Sequence, residues 1–144
     1  MIDSSILISI FKRKTKHINK SKIVKVFSDV SDETKFQLFS KVKLMEEEEP
    51  AILGFANSQN WFLLTNIRLF FQTEEATHSI VLKKIKKSEI DQKIILSSVS
   101  ALKENKLVQI TMDNGNVLSV DVCESGAVCL AMLHVFQWIG SKNK

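Results

Sequence analysis

The stretch Trp61-Phe62-Leu63-Leu64-Thr65-Asn66-Ile67-Arg68-Leu69-Phe70-Phe71 decides the fold of this 144-residue chain. Two runs rich in aromatic and branched residues, which favour β-strands, lie on either side of Thr65-Asn66. Asparagine tolerates the left-handed backbone that a tight hairpin turn often requires. The stretch therefore predicts two strands, 61–64 and 67–72, joined as a β-hairpin.

Antiparallel strands and two helices are predicted around this hairpin. The alternating or branched segments favour further strands at 23–27, 52–56, 79–85, 95–102, 107–112 and 117–122, with a polar loop at 86–93. Asn114-Gly115 is typical of a type I′ turn. Ser31 is a candidate N-cap for a helix over 32–45, and a last helix runs from 124 or 125 to 139 with Gly140 as its C-cap. The predicted fold class is α+β.

Length and composition indicate one globular domain. Hydrophobic residues make up 44% and charged residues 25% of the chain, and no apolar run approaches the roughly 20 residues that span a bilayer. The apolar segment 6–11 precedes its basic cluster, which is the reverse of a secretory signal. Cys123 and Cys129 are expected to be buried or idle thiols in a reducing cytoplasm. We therefore expect a cytoplasmic protein, with peripheral attachment at the inner membrane surface as the alternative.

Positive charge is concentrated near the front of the chain. Residues 1–26 contain seven basic side chains and one acidic side chain, whereas the remainder is mildly acidic. We divide the chain into a basic N-terminal arm (1–30), an N-terminal helix (31–48) and a main domain (49–140). Residues 1–22 join an apolar patch to a basic run, and we expect them to be peripheral or mobile.

Residues 49–139 resemble the bacterial pleckstrin-homology-like domains, which are related in shape to GRAM domains. The resemblance lies in an ordered series of segments: Ala51-Ile52-Leu53-Gly54-Phe55-Ala56, the Trp61–Leu69 hairpin, Ile94-Ile95-Leu96-Ser97-Ser98-Val99, the Asn114-Gly115 hairpin and the terminal helix. It implies about seven strands in a bent antiparallel sandwich or open barrel, capped by the last helix. It also implies a binding module without a catalytic site. The loop 57–60 is uncharged, so phosphoinositide recognition is not expected there.

The sequence offers little for catalysis. His17, His78 and His134 lie in no nucleophile–base signature, and no glycine-rich phosphate loop is present. The acidic run 46–49 is interpreted as a solvated helix end rather than a cation site, because consecutive carboxylates do not converge on one ion. We predict no catalytic residues, no metal ligands and no cofactor, and a small enzyme is the least favoured alternative.

Two sets of residues are candidates for binding. Apolar character extends around much of the terminal helix, which makes Leu130, His134 and Trp138 a candidate partner-binding face; the N-terminal helix, a second copy or another protein are the candidate covers. The candidate bases for contact with an acidic partner or anionic lipid are Lys83, Lys84, Lys86, Lys87, Lys12, Arg13, Lys14 and Lys16. The first hypothesis is a non-enzymatic module that binds a protein or self-associates. The alternative is a peripheral membrane protein, and nucleic-acid binding is not favoured.

Overall fold

The computed structural model describes residues 2–16 and 23–144, which form helices and strands in alternating groups. The helices are α1 (Ser4–Thr15), α2 (Asp32–Phe39), α3 (Gln92–Ser97), α4 (Val99–Glu104) and α5 (Ala127–Lys142). The strands are β1 (Val24–Val26), β2 (Pro50–Asn57), β3 (Asn60–Thr65), β4 (Arg68–Gln72), β5 (Thr77–Val81), β6 (Ile85–Glu89), β7 (Leu107–Met112) and β8 (Val117–Asp121). In these ranges no helix combines the length and apolarity needed to cross a bilayer.

The strands form two antiparallel sheets. The first has the order β1-β2-β3-β4-β5 and the second the order β6-β7-β8, so within each sheet every strand pairs with its neighbour in the chain. This confirms the predicted α+β class with a C-terminal helix. Over the described ranges the two sheets do not close into a continuous barrel.

The predicted hairpin is confirmed as β3 and β4, and both of its faces are buried. Phe62 pairs with Phe71, and Leu64 pairs with Leu69. These four side chains lie in the main core with α1, α5 and the second sheet. The opposite face packs under α2 in a second cluster made of Val30, Leu38, Val42, Leu53, Trp61, Leu63 and Phe70. Each large apolar side chain buried in this way contributes about 1.5–3 kcal/mol, so the hairpin links two cores.

The N-terminal segment is not peripheral where the structure describes it. Asp3 caps α1 by accepting the backbone N–H of Ser5 at 2.9 Å. Leu7, Ile10 and Phe11 are buried in the main core, because they recur at the spacing of one helix face. The expectation of a peripheral or mobile segment is therefore wrong for residues 2–11. The part of that expectation that falls on residues 17–22 lies outside the described residues.

The connection between the sheets differs from the prediction. The predicted strand 79–85 divides into β5 and β6 around a 3-10 turn, Leu82–Lys84, where the chain passes from one sheet to the other. The predicted loop 86–93 begins as β6, whose Ile85 and Ser88 are buried on either side of a register shift. The alternation of apolar and polar residues did not predict this strand, because the register shift places two successive lysines, Lys86 and Lys87, on the exposed side.

The predicted strand 95–102 is wrong, because this segment forms α3 and α4. Side-chain capping explains the helices: Asp91 accepts the N–H of Lys93 at 2.9 Å, and Ser98 accepts the N–H of Ala101 at 3.0 Å. Apolar side chains that favour a strand therefore lie on short helices and remain largely exposed.

Both predicted helices have different ends. The helix predicted over 32–45 stops at Phe39, and residues 40–49 form an irregular connection to β2 with turns at 40–41 and 46–47. The terminal helix continues to Lys142, so the prediction that Gly140 ends it is wrong. Gly140 instead allows the helix to approach β6, since a Cβ at this position would lie 2.9 Å from the Lys86 carbonyl oxygen. The N–H of Asn143 closes the helix on the carbonyl of Gly140.

Candidate functional site

The turn between β3 and β4 holds a buried ion pair that sequence reasoning missed. Thr65 Oγ1 donates to Glu48 Oε2 at 2.6 Å, and Arg68 Nε donates to the same oxygen at 3.0 Å. The Glu48 side chain is 0% exposed and that of Arg68 is 20% exposed. Burial alone would raise the pKa of Glu48, but the hydrogen bonds from Arg68 and Thr65 outweigh burial and hold that pKa below its ordinary value.

Asn66 and Arg68 bind the backbone of the acidic segment. Asn66 Oδ1 accepts the N–H of Glu49 at 2.7 Å, and Arg68 Nη2 donates to the carbonyl of Lys43 at 3.2 Å. These bonds hold residues 43–49 against the β3–β4 turn. The interpretation of 46–49 as a solvated helix end is wrong, because the segment forms a turn outside α2 and Glu48 is buried, although the other three glutamates are exposed. Helix α1 joins the same region, since Ser4 Oγ donates to Glu49 Oε2 at 2.9 Å.

A groove of about 780 Å³ opens beside this turn. It lies between the start of α1, residues 66–67, the end of β5 with the 3-10 turn, and the end of α5. Its apolar lining comprises Ile2, Ile6, Ile67, Val81, Leu82 and Trp138. Ile6 is 40% exposed and Val81 is 38% exposed, so the floor is accessible to a ligand. The volume falls in the usual range for ligand sites, which are about 300–1,000 Å³.

Charged groups border the groove. Lys83 and Lys142 are the lysines of its lining, and Asp3 is its carboxylate. The Lys142 ammonium lies 5.2 Å from the centre of the Trp138 ring, a distance at which a cation is attracted to the aromatic face. Within the described residues neither lysine forms an ion pair. The groove therefore combines an apolar floor with a net positive rim.

The positions of the two lysines are set by the end of α5. Asn143 Nδ2 donates to the carbonyls of Leu82 and Ile85, each at 2.7 Å. These bonds tie the helix end to both ends of the 3-10 turn that carries Lys83. As a result, one lysine from each element faces the same groove.

Only part of the predicted partner-binding face, which consists of Leu130, His134 and Trp138, lies at the groove. Trp138 lines the groove, whereas Leu130 and His134 are exposed outside it. The pKa of His134 is lowered by partial burial and by the nearby charge of Lys14. The N-terminal element that packs on α5 is α1 rather than the predicted helix 32–45, and it leaves Leu130 and His134 exposed.

The four lysines of residues 83–87 do not all lie at the groove either. Lys83, Lys84, Lys86 and Lys87 are all exposed, but only Lys83 lines the groove. Lys86 and Lys87 lie on β6, an edge strand, where charge discourages pairing with other chains. Lys87 forms an exposed ion pair with Glu89 at 3.8 Å, a type of contact that contributes at most about 1 kcal/mol.

The bases of the arm lie at the other end of α1. Lys12, Arg13, Lys14 and Lys16 are exposed, whereas the apolar face that precedes them is buried in the core. Most of the apolar surface of residues 6–11 is therefore used inside the protein. His17 lies outside the described residues.

The remaining side chains that could take part in chemistry, the two cysteines and His78, are packed against other parts of the protein. Both cysteines are buried, and burial raises the pKa of Cys123 to about 12 and that of Cys129 to about 11. His78 stacks on Phe71 with the ring centres 5.2 Å apart. Across residues 2–16 and 23–144, no group of three or more His, Cys, Asp or Glu side chains is placed to hold a metal ion.

Comparison with known proteins found no matching family model, no similar curated protein and no similar solved structure.

Proposed function

We propose that this chain is a non-enzymatic interaction module of pleckstrin-homology-like architecture, and that it binds an acidic amphipathic helix of a protein partner in the α1–α5 groove. The order of elements supports the architecture. Strands β2 to β8 supply seven antiparallel strands followed by α5, which is the arrangement that the resemblance implies, and β1 is an addition at the sheet edge.

One observation carries the proposed function: Trp138 and Lys83, residues singled out for different kinds of contact, line the same accessible groove. Tryptophan is a frequent energetic anchor at protein interfaces. The two lysines add attraction for carboxylates and favour an acidic partner over a basic one.

The polar groups of the lining favour a helical occupant. The Asn66 and Asn143 amides are already bonded to backbone atoms of the chain, and the Leu82 N–H is bonded to the Ile67 carbonyl at 2.9 Å. An extended peptide would find few backbone partners in such a groove. An amphipathic helix satisfies its own backbone and needs only an apolar face and acidic flanks.

The acidic segment of the chain itself is a poor occupant. Glu48 is buried against Arg68, and Glu49 accepts the bond from Ser4. A second copy would have to break these contacts to offer its carboxylates. The proposal therefore commits to a different protein.

A synthetic peptide of about four helical turns, with Leu at one face and Glu at the flanks, tests the proposal. Its affinity for the full chain is measured by fluorescence anisotropy. We expect the double variant Lys83→Glu/Lys142→Glu to weaken binding by about tenfold or more, because two attractions become repulsions. The charge-matched variant Lys103→Glu/Lys106→Glu, away from the groove, should bind like the wild type. Equal losses in both variants, or no binding by the wild type, would refute the proposal.

A further inference from the structure

Strand β5 forms an exposed edge of the first sheet. It ends the order β1-β2-β3-β4-β5, and of the elements that the structure describes it packs extensively only against β4. Thr77, His78, Ser79 and Val81 are exposed, and Ile80 is half-buried. An edge strand with accessible backbone groups is a template for pairing with a strand of another chain.

The register with β4 decides which residues of β5 bond within the sheet. Before the strand, the N–H of Thr73 donates to the Ala76 carbonyl at 2.9 Å, and after it the N–H of Leu82 donates to the Ile67 carbonyl at 2.9 Å. Both pairs continue the register of β4 with β5. Because bonded and non-bonded pairs alternate in an antiparallel ladder, the even-numbered residues of β5 bond to β4.

The odd-numbered residues therefore direct their backbone groups away from the sheet. Thr77 and Ser79 each offer an N–H and a carbonyl to a new strand. Val81 offers its N–H, since its carbonyl accepts the first bond of the 3-10 turn that it caps. The edge thus has donors and acceptors in an alternating row.

The two edges of the first sheet are protected to different degrees. Strand β1 has three residues and carries Lys25. Strand β5 has five residues and contains no Lys, Arg, Asp, Glu or Pro. Short length, charged side chains and proline are the usual features that prevent an edge from pairing. The β5 edge lacks them and is open to a partner strand.

Charges of opposite sign lie just outside the two ends of β5. Glu74 and Glu75 precede the strand, and Lys83 and Lys84 follow it in the 3-10 turn. All four side chains are exposed, and none forms an ion pair within the described residues. The strand between them is roughly 17 Å long, about twice the screening length of physiological salt, so the two pairs of charges do not neutralise each other within one copy.

A second copy of the chain fits this edge in one antiparallel register. When the Ser79 residues of the two copies lie opposite each other, Thr77 of each copy faces Val81 of the other. The two Ser79 residues then exchange two hydrogen bonds, and each Val81 N–H donates to a Thr77 carbonyl. A shift of two residues would leave one outward residue of each copy opposite a turn instead of a strand.

The same register brings opposite charges together. Residues at equal distances from Ser79 face each other, so Glu75 of one copy lies near Lys83 of the other, and Glu74 lies near Lys84. The twofold axis repeats both pairs at the other end of the strands. A parallel arrangement would instead place acids beside acids, so the charges select the antiparallel one.

We infer that two copies of this chain pair along β5 as an antiparallel, twofold-symmetric dimer, which joins their first sheets into one continuous sheet. Five residues from each copy bury less than the about 800 Å² per partner of a standard interface, so the dimer dissociates on dilution. This interface goes beyond the proposed function and does not rest on it, because the groove takes a different protein.

Sedimentation velocity of the full chain over a series of concentrations tests the inference. We expect the wild type to pass from monomer to dimer as its concentration rises. The acid-reversal variant Glu74→Lys/Glu75→Lys and the lysine-reversal variant Lys83→Glu/Lys84→Glu should each raise the dimer dissociation constant about tenfold or more, because like charges then meet at both ends. An equimolar mixture of the two variants should dimerise at least as well as the wild type, because lysines of one variant then face glutamates of the other.

Two further variants separate the edge from other causes. Lys103→Glu/Lys106→Glu makes the same charge change as the lysine reversal in exposed residues near the start of α5, whereas β5 ends at the groove beside the end of α5. This control should dimerise like the wild type. Ser79→Pro removes an outward N–H and leaves the bonds to β4, so it should abolish the dimer and keep the thermal unfolding midpoint close to that of the wild type.

The inference is overturned if the wild type stays monomeric at every concentration, or if either reversal variant dimerises like the wild type. It is also overturned if the mixed variants stay monomeric, or if the control loses as much dimer as the lysine reversal. Pairing of an extended segment of another protein with a chain that remains monomeric would overturn it as well.

Discussion

Removing the Arg68 guanidinium tests the role of the buried pair in holding the β3–β4 turn. In Arg68→Ala, the Glu48 carboxylate keeps its hydrogen bonds from Thr65 and the Met45 N–H but loses the only cation bonded to it among the described residues. Loss of one partner from a buried pair typically costs about 3–5 kcal/mol, because a charge remains buried without compensation. Since the Arg68 side chain is 20% exposed, water screens part of the interaction and we expect about 3 kcal/mol.

The pH dependence identifies the cause of this loss. In the folded wild type the pKa of Glu48 lies below its ordinary value of 4.5, so its ionised form stabilises the fold above that pH and the contribution fades as pH falls through the lowered pKa. In Arg68→Ala, burial is no longer outweighed and the pKa of Glu48 rises. The stability difference between the two proteins should therefore be largest near neutral pH and shrink as the pH falls from the raised pKa of Glu48 in the variant to its lowered pKa in the wild type.

Urea unfolding followed by tryptophan fluorescence measures this difference across the pH range. The variant Glu48→Gln/Arg68→Ala, which removes both charges, should recover part of the stability that Arg68→Ala loses. Arg13→Ala is the control, since Arg13 is exposed on α1 and should change stability by less than about 0.5 kcal/mol. A loss of less than about 1 kcal/mol that does not vary with pH would refute the reasoning.

Three further predictions follow from core contacts. Phe11→Ala should lower the free energy of unfolding by about 3–5 kcal/mol in chemical denaturation, because the ring is 4% exposed; a change near zero would mean that α1 does not pack as described. Gly54→Ala should cost about 1–3 kcal/mol in the same assay, because the added Cβ would overlap the Phe62 ring, and a neutral effect would contradict the close approach. Cys123 and Cys129 should react slowly with a thiol reagent at pH 8 and rapidly in urea, since burial raises both pKa values; fast reaction of the native protein would contradict their burial.

The β-rich part of the fold was predictable because its strands carry local signals. The hairpin 61–72 and the Asn114-Gly115 turn combine branched or aromatic residues with residues that tolerate a turn, and both hairpins are present. The predicted type I′ geometry is wrong, because it needs a positive φ at both central residues and only Gly115 has one. The failures lie where tertiary contacts override these signals. Segment 95–102 contains strand-favouring residues, yet Asp91 and Ser98 cap it as two helices.

Only some residues of the candidate site were predictable from the sequence, and their proximity was not. Trp138 and Lys83 were selected as an interface anchor and as part of a charged block, but no sequence spacing indicates that residues 55 positions apart share a groove. Lys142 was missed because the helix was expected to end before it. Glu48 was missed because its partner, Arg68, approaches through the β3–β4 turn and not through neighbouring helix positions.

The indole signals of the chain test the central claim that the groove binds a ligand. Trp138 lines the groove and Trp61 is buried in the second core, so a nitrogen–proton correlation spectrum of the full chain reports the site and an internal reference together. On addition of the acidic amphipathic peptide, we expect a saturable shift of the Trp138 indole signal and a stationary Trp61 signal. A Trp138 signal that stays in place at saturating peptide would contradict it.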